Sequence, residues 1–585
     1  MAEEAVVGID LGTTNSEVAI YAQGRVTVIP DAEGRTILPS FVGVAEDGTL
    51  LVGEEARNQY IVFPERTIRS IKRRMGEAEP VTMAGQSYLP QEISAIILKR
   101  LKGMAEAHLG QPVRKAVITV PAYFSDAQRQ ATREAGEIAG LEVLRMINEP
   151  TAAALVYEAG RQEGKKILVY DLGGGTFDVS VVRIEQGVVE VISSHGNNHL
   201  GGDDFDEKIV SHLLDHLQTT QGVDATPDPR AMARLRRAAE AAKRFLSDHP
   251  YARIEEEYLL EHQGQPIHLS LELSRDGYEA MIMPFIDQTL EAVHTALSGA
   301  HLTSSAVESI LLVGGATRTP LVVRRLEEIF GMRPRGEVDP DLCVAMGAAI
   351  QAASVQGQEV SAVLVDITPY TFGVSALGEL NGLPSSDLFV PVSHKNSAIP
   401  THKSEVFYTV VENQPSVEVR IFQGENPDAR KNRLIGEFMV EGLSRAPENS
   451  PVVLRMDLDL DGLLHVSATE KKSGLSKRVT IQDALKHLDE AAMAEAQSRL
   501  DHLFGANDDE SEPGRSSTTG GHQEEVMARA LLEKAERMLD QASPEDQEEM
   551  INQIEEIRQA LENQDHAALQ EPCEALAEIL FYLET

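Results

Sequence analysis

Two short phrases combine carboxylates, glycines and hydroxyl groups in a pattern that suits phosphate chemistry. Residues 171–178 read DLGGGTFD, and residues 10–16 read DLGTTNS, which repeats the opening of the first phrase. Glycine lets the backbone approach a phosphate closely, threonine hydroxyls donate further hydrogen bonds, and an aspartate can hold a hydrated Mg²⁺. Two such turns facing each other would clamp a nucleotide from both sides, so the repeat predicts a nucleotide-driven protein with a duplicated core.

The elements that must position these turns follow from the hydrophobic pattern. Each phrase comes directly after an apolar run, which predicts a strand, an aspartate, a glycine-rich turn and a second strand. Strand-like and helix-like segments alternate up to about residue 355, which is typical of an α/β domain. Residues 416–421 instead alternate polar and apolar side chains, and the pair Asp461-Gly462 between two apolar runs indicates a β-hairpin. The predicted domains are an α/β domain at 1–355, a linker at 356–366, an antiparallel β domain at 367–482, and a helical segment at 483–585 with a mobile stretch at 506–523.

The composition restricts the class of protein. At ~150 residues per domain, 585 residues predict about four units. Asp and Glu number 92 against 53 Lys and Arg, giving a net charge of −39, which argues against nucleic acid as a partner and favours a cytoplasmic protein. No run of 18 apolar residues occurs, so we expect no membrane span, and the acidic N-terminus lacks a signal-peptide pattern.

Several phrases, taken in order, resemble the seventy-kilodalton heat-shock chaperone family of the DnaK type. No single phrase is specific, but the set covers the first 350 residues and continues into the β domain. The resemblance implies an actin-like ATPase with a duplicated ribonuclease-H-like fold, then an antiparallel β-sandwich that binds peptides, then an α-helical lid. The phrases are IDLGTTNS at 9–16, VPAYF at 120–124, NEPTAAA at 148–154, DLGGGTFD at 171–178, GGATR at 314–318, DITP at 366–369, QGE at 423–425 and DGLLHVSA at 461–468.

The resemblance also implies a set of catalytic side chains for ATP hydrolysis. Hydrolysis needs the charge on the γ-phosphate to be neutralised and a water to be positioned. Asp10 and Asp171 are expected to hold Mg²⁺ through water, and Lys72 to stabilise the developing negative charge. Because no strong general base is among these residues, we expect slow turnover. The remaining members are Glu149, which senses the metal and phosphates, and Thr176, which aligns the water with the support of Asp178.

A larger set of residues matches the family positions that bind ATP or ADP, with Mg²⁺ and with K⁺ as a possible second cation. The basic stretch 234–244 could instead be a solvated helix face. Residues 240–247 nevertheless place four side chains along one helical path that matches the ribose and adenine positions. The phosphate positions are Gly12, Thr13, Thr14, Asn15, Gly173, Gly174 and Gly175, and the ribose and adenine positions are Gly201, Gly202, Glu240, Lys243, Arg244, Ser247, Gly314, Gly315, Arg318 and Asp341.

The β domain carries apolar positions that the family uses to bind an extended peptide. Main-chain hydrogen bonds would hold such a peptide, and burying one leucine contributes about 2 kcal/mol, so moderate affinity and broad specificity follow. Alternating strand residues of this kind are also typical of an ordinary sandwich core. The expected residues are Phe372, Val374, Leu377, Phe407, Val417 and Val419, which line or back an apolar channel, and Val410, which forms an arch over it.

Coupling between the two domains requires an element with two states. Residues 362–365 (AVLV) are apolar enough to dock as a strand on the ATPase domain in one state and to separate from it in the other. This linker is less rich in leucine than the usual family version, so we expect weaker docking. The resemblance assigns the relay to Pro121, Arg129, Arg145, Glu149, Leu364 and Asp366, and suggests a contact between Arg145 and Asp366.

The resemblance predicts an ATP-dependent chaperone of the stress response that cycles unfolded client polypeptides with a J-domain co-chaperone and a nucleotide exchange factor, without nucleic acid or membrane partners. One alternative is an exchange-factor-like relative that binds ATP but holds clients weakly. A carbohydrate kinase is another, since a shared fold does not fix function. The segment 378–400 is longer than usual for the family, and we expect it to reshape the rim of the peptide channel.

Overall fold

The computed structural model describes residues 4–158, 164–335, 339–360, 362–444, 450–471, 474–480 and 490–508, with isolated helical positions beyond 546. The chain divides into two compact units, residues 1–504 and 505–585. In the second unit, Met550, Ile554, Ile557 and Leu576 are helical and buried. Residues 506–508 are the helical end of Glu490–Asp508, and the rest of the predicted mobile stretch, 509–523, lies outside the described residues.

The first α/β lobe is a six-stranded mixed sheet built around the hairpin that holds residues 10–16. Strand Val6–Leu11 pairs antiparallel with Asn15–Ala22 and parallel with Lys115–Val120. The helix Asp126–Ile138 begins at Ser125, whose side chain forms a capping box with Gln128. The sheet order is Glu142–Asn148, Lys115–Val120, Val6–Leu11, Asn15–Ala22 and Arg25–Val28, with Leu38–Pro39 beside Asn15–Ala22, and the helix Pro90–Leu109 packs on it.

The second lobe repeats this plan, which is the duplication expected from the two phrases. Strand Lys165–Leu172 pairs antiparallel with Phe177–Glu185 and parallel with Ser309–Val313. The order of its sheet is Ser309–Val313, Lys165–Leu172, Phe177–Glu185, Val188–Asn197, Val363–Ile367 and Ala398–Ile399. The helices of this lobe are Gly202–Gln221, Pro229–Asp248, Arg275–Gly299 and Pro320–Phe330.

Two helices of small residues join the lobes, and they pack on each other and on the two sheets. The helix Glu149–Glu158 lies on the second sheet and Cys343–Val355 on the first. A side chain at Gly347 would place its Cβ 1.9 Å from the carbonyl oxygen of Ala152, so the approach requires glycine. Such close packing leaves little freedom between the lobes at this point.

The β domain is a sandwich of two four-stranded antiparallel sheets with an apolar core between them. The predicted hairpin at Asp461-Gly462 is confirmed, with Gly462 at φ +76° in the turn. Most of the long segment 378–400 belongs to a hairpin of the strands Phe372–Leu380 and Leu383–Ser393, whose turn is Asn381-Gly382. The first of these strands pairs with Ser416–Gln423 only up to Val374. The two sheets are Leu383–Ser393, Phe372–Leu380, Ser416–Gln423 and Arg433–Glu441, and Thr401–Tyr408, Pro451–Leu458, Leu464–Glu470 and Ser476–Thr480.

The segment that joins the domains is a strand of the ATPase sheet in this conformation. Val363, Leu364 and Val365 pair in parallel with residues 188–190, which is the docked state expected of an apolar linker. The strand Val363–Ile367 runs past the predicted linker boundary at 366. Its last residues pair with Ala398–Ile399 of the β domain, so one strand spans both domains.

The helix Glu490–Asp508 packs against the first lobe through residues 493–504. Ala496 and Leu500 are buried in the apolar core of that lobe, and Arg499 forms an ion pair with Glu92. None of the helices among the described residues is long and apolar enough to cross a membrane. The remaining elements are the strands Phe41–Val44, Leu50–Val52, Thr67–Arg69, Val81–Met83, Gln86–Tyr88, Tyr251–His262 and Gln265–Ser274, the helix Glu54–Tyr60, and the 3-10 turns Pro64–Arg66, Ile71–Arg74, Ser304–Ala306, Gly315–Arg318 and Ala429–Lys431.

Candidate functional site

The two glycine-rich turns lie opposite each other across a cleft between the lobes. A Cβ at Gly174 would lie 1.9 Å from Thr14 Oγ1, so the turns meet at a distance that only glycine allows. Both turns contribute to one cavity. Its lining residues are Asp10, Gly12, Thr13, Thr14, Asn15, Glu17, Lys72, Glu149, Asp171, Gly173, Gly174, Thr176, Val313, Gly314, Gly315, Pro340, Asp341 and Val344.

Asp10 and Asp171 lie near the ends of their strands and face this cavity. Asp10 Oδ1 accepts a hydrogen bond from Thr119 Oγ1 at 2.7 Å, whereas Asp171 Oδ2 is buried without a hydrogen-bond partner among the described residues. Burial raises the pKa of both carboxyl groups. A buried, unpartnered carboxylate oxygen in an oxygen-lined cavity suits a cation that keeps its own water shell, as Mg²⁺ does. Within the described ranges, no group of three or more Asp, Glu, His or Cys is placed to hold a metal directly.

Lys72 is the cation of the cleft. Its Nζ donates to Glu149 Oε1 in an ion pair in which both side chains are more than nine-tenths buried. Burial lowers the pKa of Lys72, but the carboxylates of Glu149 and Asp10 outweigh it and raise the pKa, so the ammonium stays charged. Burial raises the pKa of Glu149 to about 7 against the opposing effect of Lys72.

The two arginines beside Lys72 point elsewhere. Arg73 reaches across to Asp204 of the second lobe at 3.0 Å, and Arg74 pairs with Glu77 at 2.8 Å. Of residues 72–74, Lys72 is therefore the one that lines the cavity.

Thr176 and Asp178 take different positions. Thr176 lines the cavity, whereas Asp178 lies behind it and accepts the backbone N–H of Tyr123 at 3.0 Å. Burial raises the pKa of Asp178 to about 7. Asp178 can therefore support the turn, but it does not face the cavity that Thr176 lines.

The residues expected around ribose and adenine are only partly brought to the cavity. Gly314, Gly315 and Asp341 line it, and the Gly202 backbone N–H donates to the Gly173 carbonyl at 2.9 Å, so residues 201–202 pack directly on the phosphate turn. Three of the other expected residues pair with protein side chains. Arg318 pairs with Asp341 at 2.7 Å, Lys243 with Asp206 at 2.8 Å and Glu240 with Arg57 at 3.4 Å, while Arg244 is exposed and Ser247 half-buried.

Hydrogen bonds of Asn148, the residue before Glu149, reach the linker strand. Asn148 precedes Glu149, and its Nδ2 donates to Asp366 Oδ2 at 2.8 Å. Arg129 donates to Asn148 Oδ1 at 2.7 Å. The buried Pro121 begins the turn before the helix that carries Arg129, since the Phe124 N–H donates to its carbonyl.

The expected direct contact between Arg145 and Asp366 is replaced by hydrogen bonds from other side chains to Asp366. The Asp366 carboxylate is bonded by Asn148 and, at 3.4 Å, by Thr151 Oγ1. Arg145 acts on it only through space, lowering a carboxyl pKa that burial raises. The direct partner in this conformation is therefore an amide, and the sequence prediction named the wrong side chain.

The hairpin turn of the β domain also contacts the ATPase domain, and the sequence analysis missed its role. Asp461 forms an ion pair with Arg133, and its Oδ1 accepts the Met146 N–H at 2.8 Å. Arg129 donates to the carbonyl of Asp461 at 3.3 Å. The sequence showed a turn at this point, but nothing local to it indicated a partner more than 300 residues away.

The seven expected peptide-channel residues fall into two groups. Phe372, Val374 and Val419 are buried in the sandwich core, where they can only back a channel. Phe407 and Val417 are partly buried against that core. Leu377 and Val410 are 65% and 57% exposed, so they are the members that could touch a ligand directly.

The geometry defines a cleft between two lobes that share one fold plan, joined to a β-sandwich by a strand that pairs with both domains. A family model described as Hsp70 protein matches residues 6–584. Curated relatives named chaperone protein DnaK, from Thermotoga petrophila, Thermotoga maritima and Thermotoga neapolitana, are each 48% identical over 489 residues, which is 82% of this chain and 80% of theirs.

The chain belongs to the Hsp70 family. It is an ATP-hydrolysing molecular chaperone of that family, and the predicted resemblance and activity are confirmed. The family binds ATP and ADP with Mg²⁺ and works with client proteins and co-chaperones. The comparisons give no support to the alternative of an exchange-factor-like relative.

Proposed function

We propose that the cleft between the two hairpins is the site of ATP hydrolysis, in an actin-like domain of two ribonuclease-H-like lobes. The phosphates would lie between residues 12–15 and 173–175, and Asp10 and Asp171 would hold Mg²⁺ through water. When bound, Mg²⁺ supplies charge neutralisation on the phosphates. The ammonium of Lys72 stabilises the negative charge that develops on the transferred phosphoryl group, and Thr176 orients the attacking water.

Glu149 connects this chemistry to the rest of the molecule. Its carboxylate forms an ion pair with Lys72, and its neighbour Asn148 donates a hydrogen bond to Asp366 near the end of the docked linker strand. A nucleotide that changes the position of Lys72 would therefore act on Glu149 and, one residue earlier, on the linker. The adjacency of these two bonded residues is the single observation that best supports coupling between the cleft and the β domain.

The β-sandwich is proposed to hold an extended apolar segment of an unfolded client. ATP would favour the docked state with low peptide affinity, and hydrolysis would release the linker and raise that affinity. We further propose a cytoplasmic location, stimulation by a J-domain co-chaperone, nucleotide release by an exchange factor, and K⁺ as a second cation in the cleft. The helical segment 483–585 would act as the lid of the peptide site.

The test is the rate at which a prebound fluorescent apolar peptide leaves the full-length chain. Adding ATP with Mg²⁺ is expected to accelerate release, whereas ADP is not. A J-domain protein together with peptide should raise steady-state hydrolysis above the basal rate. If ATP and ADP give the same release rate, the proposed coupling is wrong.

Replacing Val417 with phenylalanine is expected to weaken peptide capture about tenfold, because overpacking a half-buried strand position costs about 1–3 kcal/mol. Basal ATP hydrolysis should persist, since Val417 lies in the strand Ser416–Gln423, far along the chain from the cleft residues. Fluorescence anisotropy of a labelled peptide measures the first effect and phosphate release the second. Glu418→Gln on the same strand is the matched control, because Glu418 is exposed. Unchanged peptide binding in Val417→Phe would instead mean that Val417 does not line the peptide channel.

A further inference from the structure

His195 is a histidine at the contact between the ATPase lobes and the β domain, and the hydrolysis chemistry above does not use it. It lies near the end of the strand Val188–Asn197, and its ring meets that of Tyr123 edge to face at 5.1 Å. The β domain covers this strand end, since the Asn396 side chain donates to Ser193 Oγ at 3.3 Å. Ser193 and His195 are two residues apart on one strand, so their side chains project to the same face. Docking of the β domain therefore encloses His195.

The surroundings of His195 suit a neutral imidazole and not a charged one. Its Nδ1 is buried and has no hydrogen-bond partner among the described residues. A neutral ring can leave one nitrogen as an unused acceptor, whereas an imidazolium carries a proton on both nitrogens and needs an acceptor for each. The β domain also brings the ammonium of Lys395 close enough to repel a second positive charge. Burial first, and Lys395 second, lower the pKa of His195 to about 4.

The acidic groups around His195 do not offset this effect. Glu425 acts on Lys395, where it opposes the burial that lowers the pKa of that lysine. Asp178 lies on the neighbouring strand and accepts the Tyr123 N–H. Within the described residues, no carboxylate is therefore bonded to His195 or raises its pKa. The other charged or titratable groups on the elements packed around this strand end are Tyr123, Tyr370 and His294, together with Arg73, Glu77 and Arg433, which line the cavity beside Gly196.

Separation of the two domains changes this environment. Lys395 belongs to the β domain, so undocking removes its charge and opens the ring to water, and the pKa of His195 returns toward its ordinary value of 6.5. A base whose pKa is lower in the docked state stabilises docking above its undocked pKa, and this contribution is lost as the pH falls toward its docked pKa. Docking is therefore expected to weaken progressively as the pH falls below about 6.5.

We propose that His195 is a pH sensor of domain docking, whose protonation favours separation of the β domain from the ATPase domain. In the presence of ATP, acidification would then shift the protein toward the state with high peptide affinity, and the chain would retain its clients. The inference rests on the proposed coupling between nucleotide and peptide, and it adds a second input to the same equilibrium.

The experiment measures the Kd of a labelled apolar peptide for the full-length protein by fluorescence anisotropy, with Mg²⁺ and either ATP or ADP, at about pH 7.5 and about pH 5.5. The ratio of the Kd in ATP to the Kd in ADP reports docking, because direct effects of pH on the peptide cancel in it. Between the two pH values this ratio is expected to fall about tenfold more in the unmodified protein than in His195→Gln, which cannot take up the proton. The comparison between variants removes the contribution of other titrating groups.

His294→Gln is the matched control, because His294 is exposed beside Lys395, and this variant should keep the pH dependence of the unmodified protein. His195→Asn carries the same expectation as His195→Gln and replaces it should that variant not fold. An equal fall of the ratio in the unmodified protein and in the His195 variants would overturn the inference, as would loss of the pH dependence in His294→Gln alone. Equal peptide Kd in ATP and ADP at about pH 7.5 would instead overturn the coupling on which the inference rests.

Discussion

Lys72→Ala is expected to lower the single-turnover rate of ATP hydrolysis about 100- to 1,000-fold, the range for removing one preorganised charge from a phosphoryl or oxyanion site. Lys72 is the one ammonium among the described residues lining the cleft, and its burial makes its charge more effective than a surface charge would be. ATP should still bind, since the two glycine-rich turns remain. Rapid-quench measurement of a preformed complex with ATP separates the chemical step from binding.

The matched control is Lys115→Ala, which removes a partly exposed lysine paired with Glu4 at the start of the strand Lys115–Val120 and should leave the rate unchanged. A second variant, Lys72→Ala with Glu149→Gln, removes the buried carboxylate that the first substitution leaves without its partner. If the double variant regains the unmodified rate, the loss in the single variant reflects the uncompensated carboxylate and not the missing ammonium. Hydrolysis at the unmodified rate in Lys72→Ala would show that Lys72 does not take part in the chemical step.

The parts of the molecule that could be predicted are those specified by a local pattern. The two aspartate–glycine phrases predicted two hairpins because each combines an apolar run with a turn that needs glycine, and Gly174 indeed meets Thr14 across the cleft. The hairpin at Asp461-Gly462 followed from turn chemistry in the same way. The apolar linker predicted a docked strand, because only such a segment can add to a buried sheet edge.

The parts that could not be predicted depend on contacts between distant segments. Helix Pro229–Asp248 carries several arginines, and the sequence left open whether they form a solvated face. The structure pairs Arg234 and Arg237 with Glu256 and Arg236 with Glu207, so these charges support the packing of the helix on its neighbours. The contact between Arg145 and Asp366 was likewise only a hypothesis from the resemblance, and the structure bonds Asp366 to the amide of Asn148 instead.

Glu17 illustrates a third limit of prediction from the sequence, which is the register of paired strands. In the sequence it is one polar residue of the segment NSEVAIYA, and only the register with Asp10 shows that it faces the cleft. A one-residue shift of that pairing would move the side chain to the other face of the sheet. The chemistry of the site therefore depends on strand register, which the phrase itself does not specify.

Asp461→Ala is expected to abolish most of the acceleration of peptide release by ATP. The carboxylate of Asp461 is paired with Arg133 and accepts the Met146 N–H, and it is 13% exposed. Removing one partner of a buried, hydrogen-bonded charge pair between two surfaces costs about 2 kcal/mol or more, which shifts a docking equilibrium about 30-fold toward the undocked state. Release of a labelled peptide after mixing with ATP measures the effect, and peptide affinity without ATP should stay unchanged.

Asp457→Ala is the matched control, because Asp457 belongs to the same hairpin but pairs with His402 and Arg455 inside the β domain. Arg133→Ala removes the other partner and should reproduce the effect of Asp461→Ala from the ATPase side. Because both variants leave Lys72, Glu149 and Asn148 in place, basal hydrolysis should continue while its response to peptide is lost. Normal ATP-induced release in Asp461→Ala would mean that the linker strand alone carries the signal, and that the hairpin contact only accompanies it.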